Sequence, residues 1–159
     1  MTLTIVDQIT SFKGSFSFLS NMAGAETGEP ELRLKMGGTV YPSVEHLYQA
    51  AKTEDSAARE QIAKAASPYA AKQLGKAPAR GGVVVLRDGW TEMRLTVMRA
   101  ALKQKFAHRA YAELLLATGD AELVEGNVWG DTFWGVCRGR GMNWLGKLLM
   151  EVRAELREK

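Results

Sequence analysis

At Tyr41 the hydrophobic pattern changes period, and the stretch YPSVEHLYQAAK from Tyr41 to Lys52 constrains what this chain can fold into more than any other. Pro42 and Ser43 supply a helix start: Pro suits the region before or at the first turn, and the Ser43 hydroxyl accepts from an otherwise unpaired N–H. Val44, Leu47, Tyr48 and Ala51 then recur at helical spacing and make a buried stripe. Glu45, Gln49 and Lys52 stand at i, i+4 and i+7, in line on a neighbouring face. Such a row is either a solvated face with routine helix pairs or the armed face of a site, and spacing alone weighs the two evenly.

The residues before Tyr41 read as extended: LTIV at 3–6, FSFL at 16–19, and the alternation ELRLKM, which reaches GGTVY through the Gly37–Gly38 turn signal. Met22 to Pro30 reads as a surface loop. After Tyr41 helices dominate. Asp55 caps one running to Ala66, Ser67 and Pro68 restart another that Gly75 ends, and Leu95, Met98, Leu102 and Phe106 stripe a longer one from Thr91. Tyr111 to Thr118 continues as helix, and Asn143 caps a final one striped by Leu145, Leu149, Val152 and Leu156. VVVL at 83–86 is either a short strand or part of a winding connection. The expected fold is α+β: one helix-rich domain spanning 1–159, with a small, mostly antiparallel sheet from the N-terminal third.

Composition excludes several chemistries. The single cysteine, Cys137, allows no internal disulfide, and His46 and His108 are too few for a Cys/His zinc site, so neither a metal nor a cofactor is expected. A formal charge of +3 tolerates a phosphate-bearing partner without demanding one. The start MTLTIVDQ lacks the basic run and apolar core of a secretory signal, and no apolar stretch approaches the roughly 18 residues of a membrane span. A soluble cytoplasmic protein without membrane contact is the expectation.

The loop from Trp129 to Asn143 gathers tryptophans, glycines, Asp131, Arg138 and Arg140 ahead of a helix start. Glycines let backbone N–H groups approach a phosphate, arginines pair with its oxygens, and aromatics stack on a base; the alternative is a packed core with turns and solvated arginines. Two phosphate motifs fail. Gly141 to Lys147 fits GxxxxGK, but Leu148 stands where a magnesium-binding Ser or Thr is required, and Gly139 and Gly141 are followed by Trp144 at the third glycine position of a dinucleotide fingerprint. No GxSxG elbow occurs, Cys137 has no adjoining His, and His46 and Glu45 point about 100° apart on a helix. Carboxylates remain, with Glu45, Asp131 and Glu125 as candidates. In the first helical turn the dipole favours an ionised Glu45, which suits the positive anomeric carbon of a breaking glycosidic bond.

In order along the chain, FLSN at Phe18–Asn21, YPSVEHLYQAAK, RDGW at Arg87–Trp90, Lys105 with Phe106, Thr118 with Gly119, EGNVWGDTFWG at Glu125–Gly135 and GMNWLGKLLMEVR at Gly141–Arg153 resemble the NADAR, or YbiA-like, superfamily over nearly the whole chain. The resemblance implies an N-glycosidase-type fold acting on ribosylated heterocycles or ADP-ribose conjugates. Some members are linked to riboflavin-pathway intermediates, others to removing ADP-ribose from guanine in DNA in toxin and phage-defence systems. It implies catalytic roles for Glu45, Lys52 and Asp131, and substrate contacts from Asn21, Gln49, Arg87, Trp90, Trp129, Trp134 and Asn143; Arg138 and Arg140 are substrate-binding candidates from the chemistry of their own loop, which need not be general to the family. The leading expectation is hydrolysis of an N-glycosidic bond with the sugar across the Glu45 helix and the Asp131 loop. Lys52 serves there as a phosphate-binding cation or a Schiff-base amine, the arginines hold a pyrophosphate, and Trp90 or Trp129 stacks on a ring. The expected partners are an ADP-ribose-bearing or ribosylated small molecule, ADP-ribosylated DNA, and an ADP-ribosyltransferase toxin in functional pairing. A non-catalytic ADP-ribose or nucleotide-binding module is the alternative.

Overall fold

The computed structural model describes residues 7–159, and the expected strand at 3–6 lies outside them. In chain order the elements are β1 (Gln8–Ile9), β2 (Leu34–Met36), β3 (Thr39–Tyr41), α1 (Val44–Ala51), α2 (Ser56–Ala63), α3 (Pro68–Leu74), α4 (Trp90–Ala107), α5 (Arg109–Ala117), β4 (Glu122–Leu123), β5 (Gly126–Asn127), β6 (Val136–Cys137) and α6 (Trp144–Arg157). They divide between an internal unit, Asn21–His108, and a terminal unit formed by the described residues up to Ser20 together with Arg109–Lys159.

In the internal unit the β2–β3 hairpin turns at Gly37 and Gly38, whose φ values of 57° and 81° match the twist of antiparallel strands. Gln104 on α4 completes one edge: Lys35 N–H donates to its Oε1 at 2.7 Å, and its Nε2 donates to the Lys35 carbonyl at 2.8 Å. Side-chain caps start the next three helices, with Ser43 accepting from His46 N–H, Asp55 from Ala57 N–H and Ser67 from Ala70 N–H. Helices α2, α3 and α4 and the hairpin all pack on α1. Every residue from Val44 to Ala51 is buried, polar ones included, so α1 is the unit's central element.

In the terminal unit β1 pairs with β4 in parallel, Gln8 opposite Glu122, and β5 pairs with β6 in parallel, Gly126 opposite Val136. Helix α6 packs on α5 and β4. Arg153, buried on α6, donates to Thr118 Oγ1 and to the Ala121 carbonyl, both at 2.8 Å, and ties the end of α5 to that of α6.

The α+β class and the helix order stand as expected, but the sheet does not. Among the described residues the strands form three two-stranded ladders, two of them parallel, and half of the strands lie beyond residue 120. Parallel pairs join segments distant in sequence, so no turn signal announces them. FSFL is no strand: Gly14–Leu19 forms a 3₁₀ turn that buries Phe18 and Leu19 together, which alternation would place on opposite faces. VVVL carries no ladder among the described residues. Val83 N–H donates to the Leu74 carbonyl and Val84 N–H to that of Lys76, so the segment winds past the end of α3 with Val85 and Leu86 exposed.

Candidate functional site

The first turn of α1 is held by two acceptors. Ser43 Oγ takes His46 N–H at 3.1 Å and the Asn21 carbonyl takes Glu45 N–H at 3.1 Å, so both FLSN and PSVEH serve this helix start. His46 is fully buried. Its Nδ1 lies 2.7 Å from Ser43 Oγ and its Nε2 lies 3.1 Å from the Ala65 carbonyl. The carbonyl can only accept, which makes Nε2 the donor and Nδ1 the acceptor of the Ser43 hydroxyl proton. Burial pushes the His46 pKa below its ordinary 6.5, against the opposing effects of the Ala65 bond and the Glu26 charge, so the imidazole is neutral and structural.

A base whose folded pKa is depressed leaves stability intact above the unfolded value and withdraws it as pH falls toward the folded one. Urea midpoints should therefore fall more steeply below pH 6.5 for the native chain than for His46→Gln. Parallel curves for the two would show that His46 contributes nothing to the slope.

Glu45 and Gln49 are not a solvated face: they are only 7% and 5% exposed. Gln49 Nε2 donates to Glu45 Oε1 at 2.8 Å, while Gln49 Oε1 is buried with no hydrogen-bond partner. One turn on, Lys52 closes the helix, with Nζ 5.4 Å from the centroid of the Tyr48 ring. Tyr48 in turn packs against buried Trp90, their ring centroids 5.3 Å apart at 56°. Burial lowers the Lys52 pKa from 10.5; the Glu45 charge opposes that effect and the Lys72 charge adds to it. The row thus holds a carboxylate, an amide donor and a desolvated amine beside an aromatic wall.

The other candidates of the internal unit brace this row. Arg87 N–H donates to the Lys52 carbonyl at 2.8 Å, and its guanidinium pairs with Glu54 at 3.0 Å. Asn21 directs its Nδ2 at Met98 Sδ, 3.7 Å away, and leaves a buried Oδ1 without a partner.

In the terminal unit Asp131 Oδ1 accepts from the N–H groups of Phe133 and Trp134 at 3.1 and 2.9 Å, so this carboxylate shapes its own loop. Trp134 meets Phe133 edge-on at 4.8 Å between centroids, whereas Trp129 is 58% exposed. Arg138 and Gly139, with φ of 52° and 79°, form a two-residue turn closed by both backbone hydrogen bonds between Cys137 and Arg140, and both arginines are exposed. Asn143 occupies the start of α6 but does not cap it. In a left-handed conformation with φ of 54°, it accepts Glu125 N–H through Oδ1 and donates to the Leu123 carbonyl through Nδ2, which staples the strand end to the helix.

Sequence reasoning missed Asn127. This buried side chain grips Asp131 from both sides, accepting its N–H at 3.0 Å and donating to its carbonyl at 2.8 Å. The available signal was its place in EGNVWGD, between a glycine and the aspartate loop. Asn127→Ala should cost about 1–3 kcal/mol in urea unfolding, because it leaves buried backbone groups unpaired. A loss within about 0.3 kcal/mol would show that water replaces both bonds. Among the described residues no group of three or more His, Cys, Asp or Glu is arranged to hold a metal ion, and no helix is long and apolar enough to cross a membrane.

The chain is 40% identical over 125 residues to the N-glycosidase YbiA of Escherichia coli, covering 77% of this chain and 75% of that one. It is 42% identical over 124 residues to an N-glycosidase of Nostoc punctiforme, covering 75% and 76%. A riboflavin biosynthesis protein of Vibrio vulnificus is 39% identical over 127 residues, which span 79% of this chain and 33% of that longer protein. The NMR structure of E. coli YbiA superposes with a TM-score of 0.78 at 35% identity, covering 98% of this chain and 88% of that one. The NADAR domain model matches residues 10–157, and the chain belongs to the NADAR family.

Proposed function

We propose that this protein is an N-glycosidase that hydrolyses the bond between a ribosyl group and a heterocycle, with α1 carrying the reacting groups. One observation carries the reading: a lysine whose amine is desolvated stands at the end of a buried row that begins with a hydrogen-bonded carboxylate. The names of relatives that cover three quarters of their length support the reaction class.

In the proposed chemistry the neutral Lys52 amine attacks the anomeric carbon. The bond to the heterocycle breaks, its electron pair passes to the leaving nitrogen, and Glu45 moves the proton released by the amine to that nitrogen. Departure of the ring oxygen, which takes a proton from solvent water, leaves an iminium on Lys52; the proton that Glu45 gains in the next step returns to solvent. Water adds to it, Glu45 accepts the water's proton, and collapse of the adduct returns the sugar and the amine. Gln49 keeps Glu45 oriented throughout, and Tyr48 with Trp90 forms the wall beside Lys52.

For the substrate, ADP-ribose joined to a guanine base of DNA is the leading proposal. Within the terminal unit, exposed Arg138 and Arg140 have the charge that pairs with a pyrophosphate and exposed Trp129 has the open ring face that stacks on a base. On this reading the protein works in the cytoplasm and reverses the product of an ADP-ribosyltransferase. A riboflavin-pathway intermediate is the second reading, supported by relatives named as riboflavin biosynthesis proteins. The test offers the purified protein DNA bearing ADP-ribosyl guanine, a ribosylated pyrimidine and NAD⁺, with released sugar and base followed by mass spectrometry. Turnover of the first or second decides between the two readings. Heat of binding without product would instead support a non-catalytic ADP-ribose module and overturn the enzyme reading.

A further inference from the structure

Gly75 follows α3 with φ of −69° and ψ of −4°, right-handed helical values that any residue adopts, so the backbone does not explain a glycine here. Space does. A Cβ on Gly75 would lie 1.9 Å from Gln49 Oε1, 2.6 Å from Gln49 Cδ and 3.0 Å from Gln49 Cβ, so the Gln49 amide occupies the volume that any side chain at 75 requires. That amide is the one whose Nε2 donates to Glu45 at 2.8 Å. Its Oε1 is buried without a hydrogen-bond partner, so no bond on the carbonyl side helps to hold the amide in this orientation. The bond to Glu45 holds it on one side, and on the other it fills the space left by the missing side chain of Gly75.

We propose that Gly75 is a positioning residue for the candidate site: its missing side chain forms the slot that holds the Gln49 amide with its N–H directed at Glu45. This rests on the reading of α1 as the reacting element and extends it to α3, which otherwise touches the row only through packing and the charge of Lys72. The two shortest approaches of a methyl group at 75 are to the far end of a flexible side chain, and the 3.0 Å approach to Gln49 Cβ needs a shift of only a few tenths of an ångström, so the chain should still fold, with Gln49 swung away and Glu45 losing its donor.

Two measurements test this. In the absence of substrate, the ¹⁵N–¹H resonances of the Gln49 side-chain amide, assigned through their loss in Gln49→Ala, should shift in Gly75→Ala and exchange faster with solvent. Melting should stay within about 4 °C of the native chain. On whichever substrate turns over, Gly75→Ala should lower kcat about 10- to 100-fold with KM little changed, since small misplacements near reacting groups cost that much. Gln49→Ala should lower kcat similarly, and the double variant Gln49→Ala/Gly75→Ala should be no worse than Gln49→Ala alone, because the slot then has nothing to hold.

Unchanged amide resonances in Gly75→Ala, or a double variant whose loss is the product of the two single losses, would overturn the proposal. If Gly75→Ala does not fold, the double variant, which keeps only the 3.0 Å approach to the Cβ at 49, makes the same comparison with Gln49→Ala. A native chain inactive on every substrate, combined with the expected amide shift, would sink the enzymatic reading while leaving the slot in place.

Discussion

Replacing Glu45 by glutamine should lower turnover by about 10²- to 10⁴-fold, the range a positioned acid or base supplies, while KM and folding are preserved. The substitution is chosen for its shape. A glutamine at 45 keeps an amide oxygen that accepts the Gln49 Nε2 proton, so the 2.8 Å bond inside α1 survives and only the charge and the proton-accepting capacity are lost. Glu45 is 7% exposed, so an uncharged replacement creates no new buried charge, and the melting temperature should stay within a few degrees. Released base measured by mass spectrometry and thermal melts on the same preparations check both halves. Native-like turnover would assign the proton transfers to another residue, and loss of the fold would make Glu45 a structural group.

Lys52 gives the second large effect, and here stability and activity should move in opposite directions. Lys52→Met should abolish turnover and, with it, a covalent adduct trapped by borohydride during reaction and seen as a mass increase on the peptide containing residue 52. Lys52→Arg should fail equally, because a guanidinium keeps the charge but supplies no nucleophile. Survival of activity in Lys52→Arg would instead make Lys52 a phosphate-binding cation.

The pH dependence follows from burial, which lowers the Lys52 pKa from 10.5. The attacking form is the neutral amine, so kcat should rise with pH through that lowered value. The sign for stability is also fixed: a depressed folded pKa confers stability only above the unfolded value and has withdrawn it at neutral pH. Lys52→Met removes that penalty, and its melting temperature at pH 7 should exceed that of the native chain. An enzyme that keeps a half-buried, unfavourable charge for reactivity shows this trade between activity and stability.

How far each feature was legible follows the range of the interaction that made it. Ser43, Asp55 and Ser67 each cap the helix assigned to them, because a cap acts on a backbone N–H two or three residues away. The glycine hairpin between β2 and β3 was legible for the same reason. FSFL was misread because its apolar residues follow Gly14, whose φ of 58° begins a 3₁₀ turn that alternation cannot reveal. Asn143 was misread as a side-chain cap because its amide is claimed by Leu123 and Glu125, about 20 residues earlier. Asn127 went unnoticed because the group it grips, the Asp131 backbone, leaves no trace in side-chain pattern.

The α1 row divides along the same line. By itself the sequence determined that Glu45, Gln49 and Lys52 stand in line on one helix with a capped first turn, since 3.6 residues per turn leave no other arrangement. Only the tertiary structure decided that Glu45 and Gln49 are buried and Lys52 half-buried, because α2, α3, α4 and the hairpin close over α1 from segments up to tens of residues away. Burial turns an ordinary lysine into a desolvated amine, and Gly75, remote in sequence, leaves room for the amide that faces Glu45. Helical periodicity is a local property of the backbone, whereas desolvation and close packing belong to whatever the rest of the chain brings against it.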